Sequence, residues 1–324
     1  MKTIKVMTSA AVTLMAAAAA IAGGPNLDPG LSKYNKVQGL RGTLSAAGSD
    51  TMLELQTLMA EEFRRLYPQV KIQVEGKGSS TAPPALVEGT VQLGDMSRKM
   101  KNMEVDAFEE AFGYEPTRID VALDTLAVFV NKDNPIASLT IQQVDAIFSK
   151  TRRCGSPAGI STWGKIGLGW RWATAPISLY GRNAASGTYG YFKKHALCKG
   201  DYRDAVKEQP GSASVVQGIE KDMYGIGYSG IGYATSGVRA VPLAPGEGQQ
   251  AVAASAENAA NSSYPLARFL HIYVNQAPNK DLDRLTAEYL RFILSAEGQR
   301  VVAKAGFDPL DAATAAEQLA QIGN

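Results

Sequence analysis

The sequence is poor in the residues that hold metals and carry nucleophilic chemistry. Among 324 residues there are two cysteines, Cys154 and Cys198, and two histidines, His195 and His271. None falls in a Cys-x-x-Cys or His-Glu-x-x-His spacing, so neither a metal cluster nor a cofactor is expected. No Gly-x-Ser-x-Gly elbow occurs and neither His stands as an evident base, which argues against an enzyme such as a secreted phosphatase. Net charge is also scarce. The formal value is +2, and Lys2 and Lys5 account for it. That excludes a surface built to bind nucleic acid or an acidic membrane. Past the N-terminus no apolar run is long enough to cross a bilayer, and there is no internal repeat.

What is present is an ordinary globular composition, 45% apolar and 20% charged, in a chain long enough for two domains. Residues 1–22 read as a secretory signal peptide: Lys2 and Lys5, then a run of Ala, Val, Met, Leu and Ile, then Ala20-Ile21-Ala22 as an Ala-x-Ala cleavage site. The alternative, a membrane anchor, is disfavoured by the short run and by the Gly-Gly-Pro that follows. Export places the protein in the periplasm, an oxidising compartment. There Cys154 and Cys198 are candidates for one disulfide, the alternative being two unlinked buried thiols.

The apolar periodicity describes alternating strands and helices. Residues 43–47 read as a strand. Gly48-Ser49-Asp50 makes a turn and cap. Leu55, Leu58, Met59, Phe63 and Leu66 then follow at helical spacing until Pro68. Val70, Ile72 and Val74 alternate as a strand, and a second helix starts near Thr81, with Pro83 and Pro84 in its first turn. Residues 119–130 form a long extended stretch. A helix at 141–148, an irregular segment at 149–176, a strand at 177–180, a helix up to Leu197, a helix at 212–221 and a strand at 225–228 come next. Residues 246–263 look like a loop, 266–274 are extended again, and 281–305 form one or two amphipathic helices. The β-α-β-α opening predicts an α/β architecture with a parallel sheet. Two extended crossings predict two lobes with a ligand cleft between them, residues 40–122 plus 268–324 as lobe I and 123–267 as lobe II.

Three segments between strand and helix share small, hydroxylated, glycine-rich composition: Gly48-Ser49-Asp50-Thr51, Gly78-Ser79-Ser80-Thr81 and Ser186-Gly187-Thr188. Each offers N–H groups, hydroxyls and the positive end of a helix to an anion. Arg182, four residues before Ser186, adds a guanidinium suited to a tetrahedral oxyanion. Any one such loop alone is more often a helix cap; the three together make the stronger pattern. Trp163, Trp170 and Trp172 read as packing, as does His195. Arg152-Arg153 reads as a solvated turn, and Asp95 as either structural or facing the cleft.

From residue 43 to residue 309 the chain resembles the substrate-binding proteins of high-affinity phosphate ABC transporters. The resemblance rests on the Gly-Ser start, the Gly-x-Gly-Ser-Ser loop and the Gly-x-x-Ser-Arg stretch at 94–98. It continues through the Leu-Thr-x-x-Gln-x-x-x-Ile-Phe-Ser segment at 139–149, the Arg-x-x-x-Ser-Gly-Thr loop, and Ile-Gly-Tyr at 226–228. It implies the two-lobed periplasmic-binding-protein fold, with two extended hinge crossings and phosphate held in the interlobe cleft. The implied ligand set is Asp50, Thr51, Ser79, Ser97, Arg182, Ser186, Gly187 and Thr188. The implied partners are inorganic phosphate and an ABC transporter permease in the inner membrane, with the receptor a monomer.

Two departures bear on selectivity. Many members carry Asp where this chain has Ser97, and that Asp accepts the proton of hydrogen phosphate; Asp50 is the candidate replacement, its alternative role being an N-cap. Ala184 stands where the family often has an Asp that pairs with the Arg, so Arg182 needs another carboxylate or moves more freely. Another oxyanion (sulfate, molybdate, arsenate or an organic phosphate) and a phosphate-sensor role are the competing readings.

Overall fold

A computed structural model describes residues 27–323; the proposed signal peptide, residues 1–22, lies outside them. In chain order the elements are β1 (Gly42–Gly48), α1 (Leu53–Leu66), β2 (Val70–Gly76), α2 (Ala82–Val87), β3 (Leu93–Met96), α3 (Asn102–Phe112) and β4 (Thr117–Asn131). Then come β5 (Leu139–Thr140), α4 (Ile141–Phe148), β6 (Ser178–Arg182), α5 (Gly187–His195), β7 (Lys207–Gln209), α6 (Ser212–Glu220) and β8 (Gly225–Gly230). The chain ends with β9 (Val238–Ala240), β10 (Leu243–Ala244), α7 (Ala256–Ala260), β11 (Ala267–Val274), α8 (Arg284–Ile293), α9 (Ala296–Lys304) and α10 (Ala312–Ile322).

One curled sheet of nine strands runs β2-β1-β3-β11-β4-β8-β6-β7, with β9 also on β4, and β5 and β10 form a separate pair. β1 lies parallel to β2 and β3, and β6 parallel to β7 and β8. The two parallel groups meet at β4. Its first part, Thr117 to Thr125, is antiparallel to β11, and its second part, from Leu126, is antiparallel to β8. The apolar side chains divide at the same place. One core draws on Leu44, Leu55, Phe63, Ile119, Leu270, Tyr289 and Phe292; another on Leu126, Val128, Ile147, Phe148, Trp163, Phe192, Tyr228 and Leu266. The main chain thus passes from one core to the other near Thr125, and returns near Ala267.

The helix of residues 53–66 buries Leu55, Met59 and Phe63 and stops before Pro68, because proline cannot continue it. Helix α4 occupies the predicted 141–148, closed at its start by Thr140 Oγ1, which accepts from Gln143 N–H at 3.1 Å, a capping box. The segment 281–305 is two helices, α8 and α9, separated by the Ser295 cap. Three differences stand out. Residues 246–263 are not all loop, because Ser255 caps the short α7. Strand β6 extends to Arg182, which therefore ends a strand instead of lying in the loop. The sequence reading assigned no element at β3, α3 or α10; β3 is four residues, all buried, so it shows no alternation. Trp163 and Trp172 are buried as packing residues, and Trp170 is 88% exposed. Cys154 and Cys198 form the disulfide, with Cα atoms 5.4 Å apart.

Candidate functional site

The three glycine-hydroxyl loops converge where the two cores meet. β1 ends at Gly48, and the main chain turns through Ser49 into a single 3-10 turn, Asp50–Met52, ahead of α1. β2 ends at Gly76, and Gly78 (φ 114°) turns the chain into Ser79–Thr81 and α2. The two turns are tied together, Gly78 N–H donating to Gly48 O at 2.7 Å. From the other core, β6 ends at Arg182 and α5 begins at Gly187. Each loop follows the carboxyl end of a strand and precedes a helix, where N–H groups are free to meet an anion.

Contacts across the junction are direct. Ser80 N–H donates to Ala185 O at 3.1 Å. Thr51 Oγ1 and Thr188 Oγ1 share a hydrogen bond at 3.0 Å. Within the first half, Ser97 N–H donates to Ser79 Oγ at 3.1 Å, and Ser79 Oγ lies 3.3 Å from Ser97 Oγ. A methyl group on Gly187 would lie 2.5 Å from Ser97 Oγ and 3.0 Å from Ser79 Cβ. Thr51, Ser79, Ser97, Arg182, Ser186, Gly187 and Thr188 are all buried, and Asp50 is partly so. All eight predicted residues are therefore gathered in one place.

Their roles differ in detail. Ser186 Oγ accepts from Thr188 N–H at 3.1 Å and Tyr189 N–H at 3.3 Å. It is the N-cap of α5, and its own proton is still available to donate. Asp50 does not cap α1. Its Oδ2 accepts from Ser212 N–H at 2.8 Å, at the first turn of α6, and lies 3.2 Å from Arg182 Nη1. Arg182, with Ala184 two residues on, is thus held by a carboxylate from the opposite half of the chain. Its Nη1 also donates to Ser212 Oγ at 2.7 Å, and its Nη2 to Pro210 O at 2.9 Å. Burial pulls the Arg182 pKa down and Asp50 pushes it back; a guanidinium stays charged through such shifts. Two buried donors near the junction, Arg182 Nε and Ser49 Oγ, have no hydrogen-bond partner among the described residues. Unpaired buried donors are costly, and an oxyanion is the kind of ligand that satisfies them. Asp95 is buried and bonded within its own half: Gln56 Nε2 donates to its Oδ1 at 2.8 Å. A surface groove of about 570 Å³ beside α1, α8 and α9, lined by Arg65, Phe292 and Arg300 among others, holds none of these loops.

The sequence reading missed Ser212, Asp124 and Arg268. Arg268 Nη2 donates to Thr188 Oγ1 at 2.8 Å and to Asp124 Oδ2 at 2.8 Å. Part of a signal existed: Arg268 is the one Lys or Arg in the extended stretch 266–274, whereas Asp124 shares its stretch with Asp120. Ser212 carried no signal, being an ordinary first residue of a helix.

This architecture, two parallel-stranded halves linked through shared antiparallel strands with anion-ready loops at the junction, defines a solute-binding receptor. A family model described as the PBP superfamily domain matches residues 35–297. Among sequence relatives, the phosphate-binding protein PstS of Pseudomonas aeruginosa is 56% identical over 315 residues, covering 97% of this chain and 98% of the relative. The chain belongs to the PBP superfamily and, within it, to the family of phosphate-binding proteins that this relative represents. Solved structures agree on the fold. An ABC-type phosphate transport receptor from Vibrio cholerae superposes with a TM-score of 0.64 at 20% identity, covering 82% of this chain and 100% of the other. A structure described as a possible phosphate binding protein from Planctomyces limnophilus gives 0.63 at 26% identity, covering 88% of this chain and 100% of the other.

Proposed function

We propose that this protein captures inorganic phosphate between two lobes and delivers it to an ABC-type importer, acting as a monomeric receptor with no chemistry of its own. Lobe I comprises residues 40–122 plus 268–324, and lobe II residues 123–267. The ligand set is Asp50, Thr51, Ser79, Ser97, Arg182, Ser186, Gly187 and Thr188. The observation that carries the reading is the meeting of three glycine-hydroxyl loops and a buried guanidinium at one junction. The 56%-identical relative, a phosphate-binding protein, supports the choice of phosphate. A ligand that touches both lobes favours the closed form by its differential contacts, and the closed form docks on the inner-membrane permease from the periplasmic side. Residues 1–22 serve as the export signal.

Calorimetric titration of the phosphate-stripped mature protein tests this. One-to-one phosphate binding that survives excess sulfate is the expected result. Equal affinity for both anions would reassign the protein to oxyanions in general, and no binding of either would refute the importer reading.

A further inference from the structure

We propose that Arg268, paired with Asp124 at the crossing point of the chain, is a positioning residue for the anion site: through Thr188 it decides where the site's hydroxyl protons point. The inference rests on the phosphate reading above. Arg268 on β11 and Asp124 on β4 are register partners. Both side chains are buried, at 4% and 0% exposure. Asp124 Oδ2 accepts from Nε at 3.0 Å and from Nη2 at 2.8 Å. Yet Arg268 Nη1 and Asp124 Oδ1 have no partner among the described residues. An incompletely satisfied buried pair contributes little to stability compared with apolar packing, so its placement calls for another role.

The role follows from donor arithmetic. A guanidinium can only donate. Thr188 Oγ1 therefore accepts from Arg268, and its own proton must leave elsewhere. The same holds at the other end of the cluster, where Arg182 donates to Ser212 Oγ at 2.7 Å. Thr51 Oγ1 stands between these two hydroxyls, 3.0 Å from Thr188 and 3.4 Å from Ser212. Three hydroxyls in a row have three protons and only two mutual bonds. With a cation at each end, the spare proton has no acceptor inside the row. Whichever hydroxyl carries it, it is presented to the cleft, where an oxyanion accepts it. Arg268 also fixes the helix that carries Thr188. Its guanidinium lies 5.0 Å from the Tyr191 ring, and Tyr191 Oη donates to Ala267 O at 2.7 Å, so α5 is tied to β11. The two guanidinium groups thus serve different ends: Arg182 adjoins the cleft, and Arg268 acts from behind a hydroxyl.

A double-mutant cycle tests the assignment. Phosphate Kd is measured by calorimetry for wild type, Arg268→Gln, Thr188→Val, Thr188→Ser and the Arg268→Gln/Thr188→Val pair, with the melting temperature of each phosphate-free protein alongside. A hydrogen bond involving a charged group sets the scale, so Arg268→Gln and Thr188→Val should each weaken binding about tenfold or more. Thr188→Ser should bind nearly as wild type. The pair should be no weaker than the worse single variant, because both changes break one relay. If Arg268→Gln fails to fold, Asp124→Asn/Arg268→Gln removes both charges together and replaces it in the cycle. Wild-type binding with multiplying losses, or with an Arg268→Gln affinity equal to wild type, would overturn the relay while leaving the phosphate reading intact. A wild type that binds no phosphate would overturn both.

Discussion

Replacing Gly187 with alanine isolates lobe closure from everything else the site does. Gly187 is the first residue of α5 and has an ordinary helical backbone, so alanine strengthens the helix slightly if it changes it at all. The added methyl meets the opposite half of the chain: it would lie 2.5 Å from Ser97 Oγ and 3.0 Å from Ser79 Cβ, with Ser79 Oγ closer still. Carbon atoms in contact sit about 3.5–4.0 Å apart, so the halves must separate or the serines must turn out of their mutual hydrogen bond. Overpacking of this kind costs about 1–3 kcal/mol, which converts to about 5- to 150-fold in phosphate affinity. On the hinge-closing reading, the clash exists only when the halves meet, so the melting temperature without phosphate should stay close to wild type. Calorimetry gives the affinity, and small-angle scattering with saturating phosphate gives the compactness. An alanine variant that binds as tightly as wild type and closes to the same dimensions would refute the contact geometry on which the site is built.

Three further outcomes are expected. Asp50→Asn removes the carboxylate that joins Arg182 to Ser212 N–H; it should weaken phosphate binding and change the phosphate-to-sulfate affinity ratio, and an unaltered ratio by competition calorimetry would remove Asp50 from selectivity. Reducing Cys154–Cys198 opens a loop of sequence separation 44, for which chain entropy predicts about 4 kcal/mol of lost stability; melting with and without reductant should differ by several degrees, and identical curves would refute a stabilising bridge. Burial pushes the Asp95 carboxyl up to about 8, the Gln56 hydrogen bond opposing. The folded form therefore holds a proton that the unfolded chain releases near pH 4, and stability is lost as pH rises toward 8. Asp95→Asn should melt higher than wild type, by a margin that grows from pH 4 to pH 8 and then levels off; a pH-independent margin would refute the buried-proton account.

The elements legible in the sequence were those whose apolar pattern is local. Leu55, Met59 and Phe63 declare one helix face, and Val70, Ile72 and Val74 declare one strand. The anion loops were legible because glycine, serine and threonine at a strand-to-helix turn have few other uses in such number. β3 escaped notice because a strand buried on both faces loses the alternation that marks it, and its neighbours β1 and β11 lie far away in the chain. The pair Asp124–Arg268 was hidden for a similar reason. Asp124 shares its strand with Asp120, and Arg268 shares its own with His271, so the sequence does not say which polar residues pair; only the register of β4 with β11 makes Asp124 and Arg268, 144 residues apart, partners.

The resemblance to phosphate receptors implies a carboxylate where this chain has Ala184; here the carboxylate beside Arg182 is Asp50, and on the proposed reading that exchange changes how the site works. A carboxylate beside Arg182 in its own loop would neutralise it at all times. Asp50 comes from the opposite half, so the pair at 3.2 Å exists only while the halves are together. On the hinge-closing reading, an open cleft exposes Arg182 without its partner, and the field of an unpaired cation draws in an anion. Closure then brings Asp50 to Arg182 and α6. The ligand must share a cation that is already matched, so net charge in the closed site contributes less than directed donors do. Ser79, Ser97, Thr51, Thr188 and Ser212 are all buried there. On the proposed phosphate reading, their hydroxyls are the directed donors that complement Arg182.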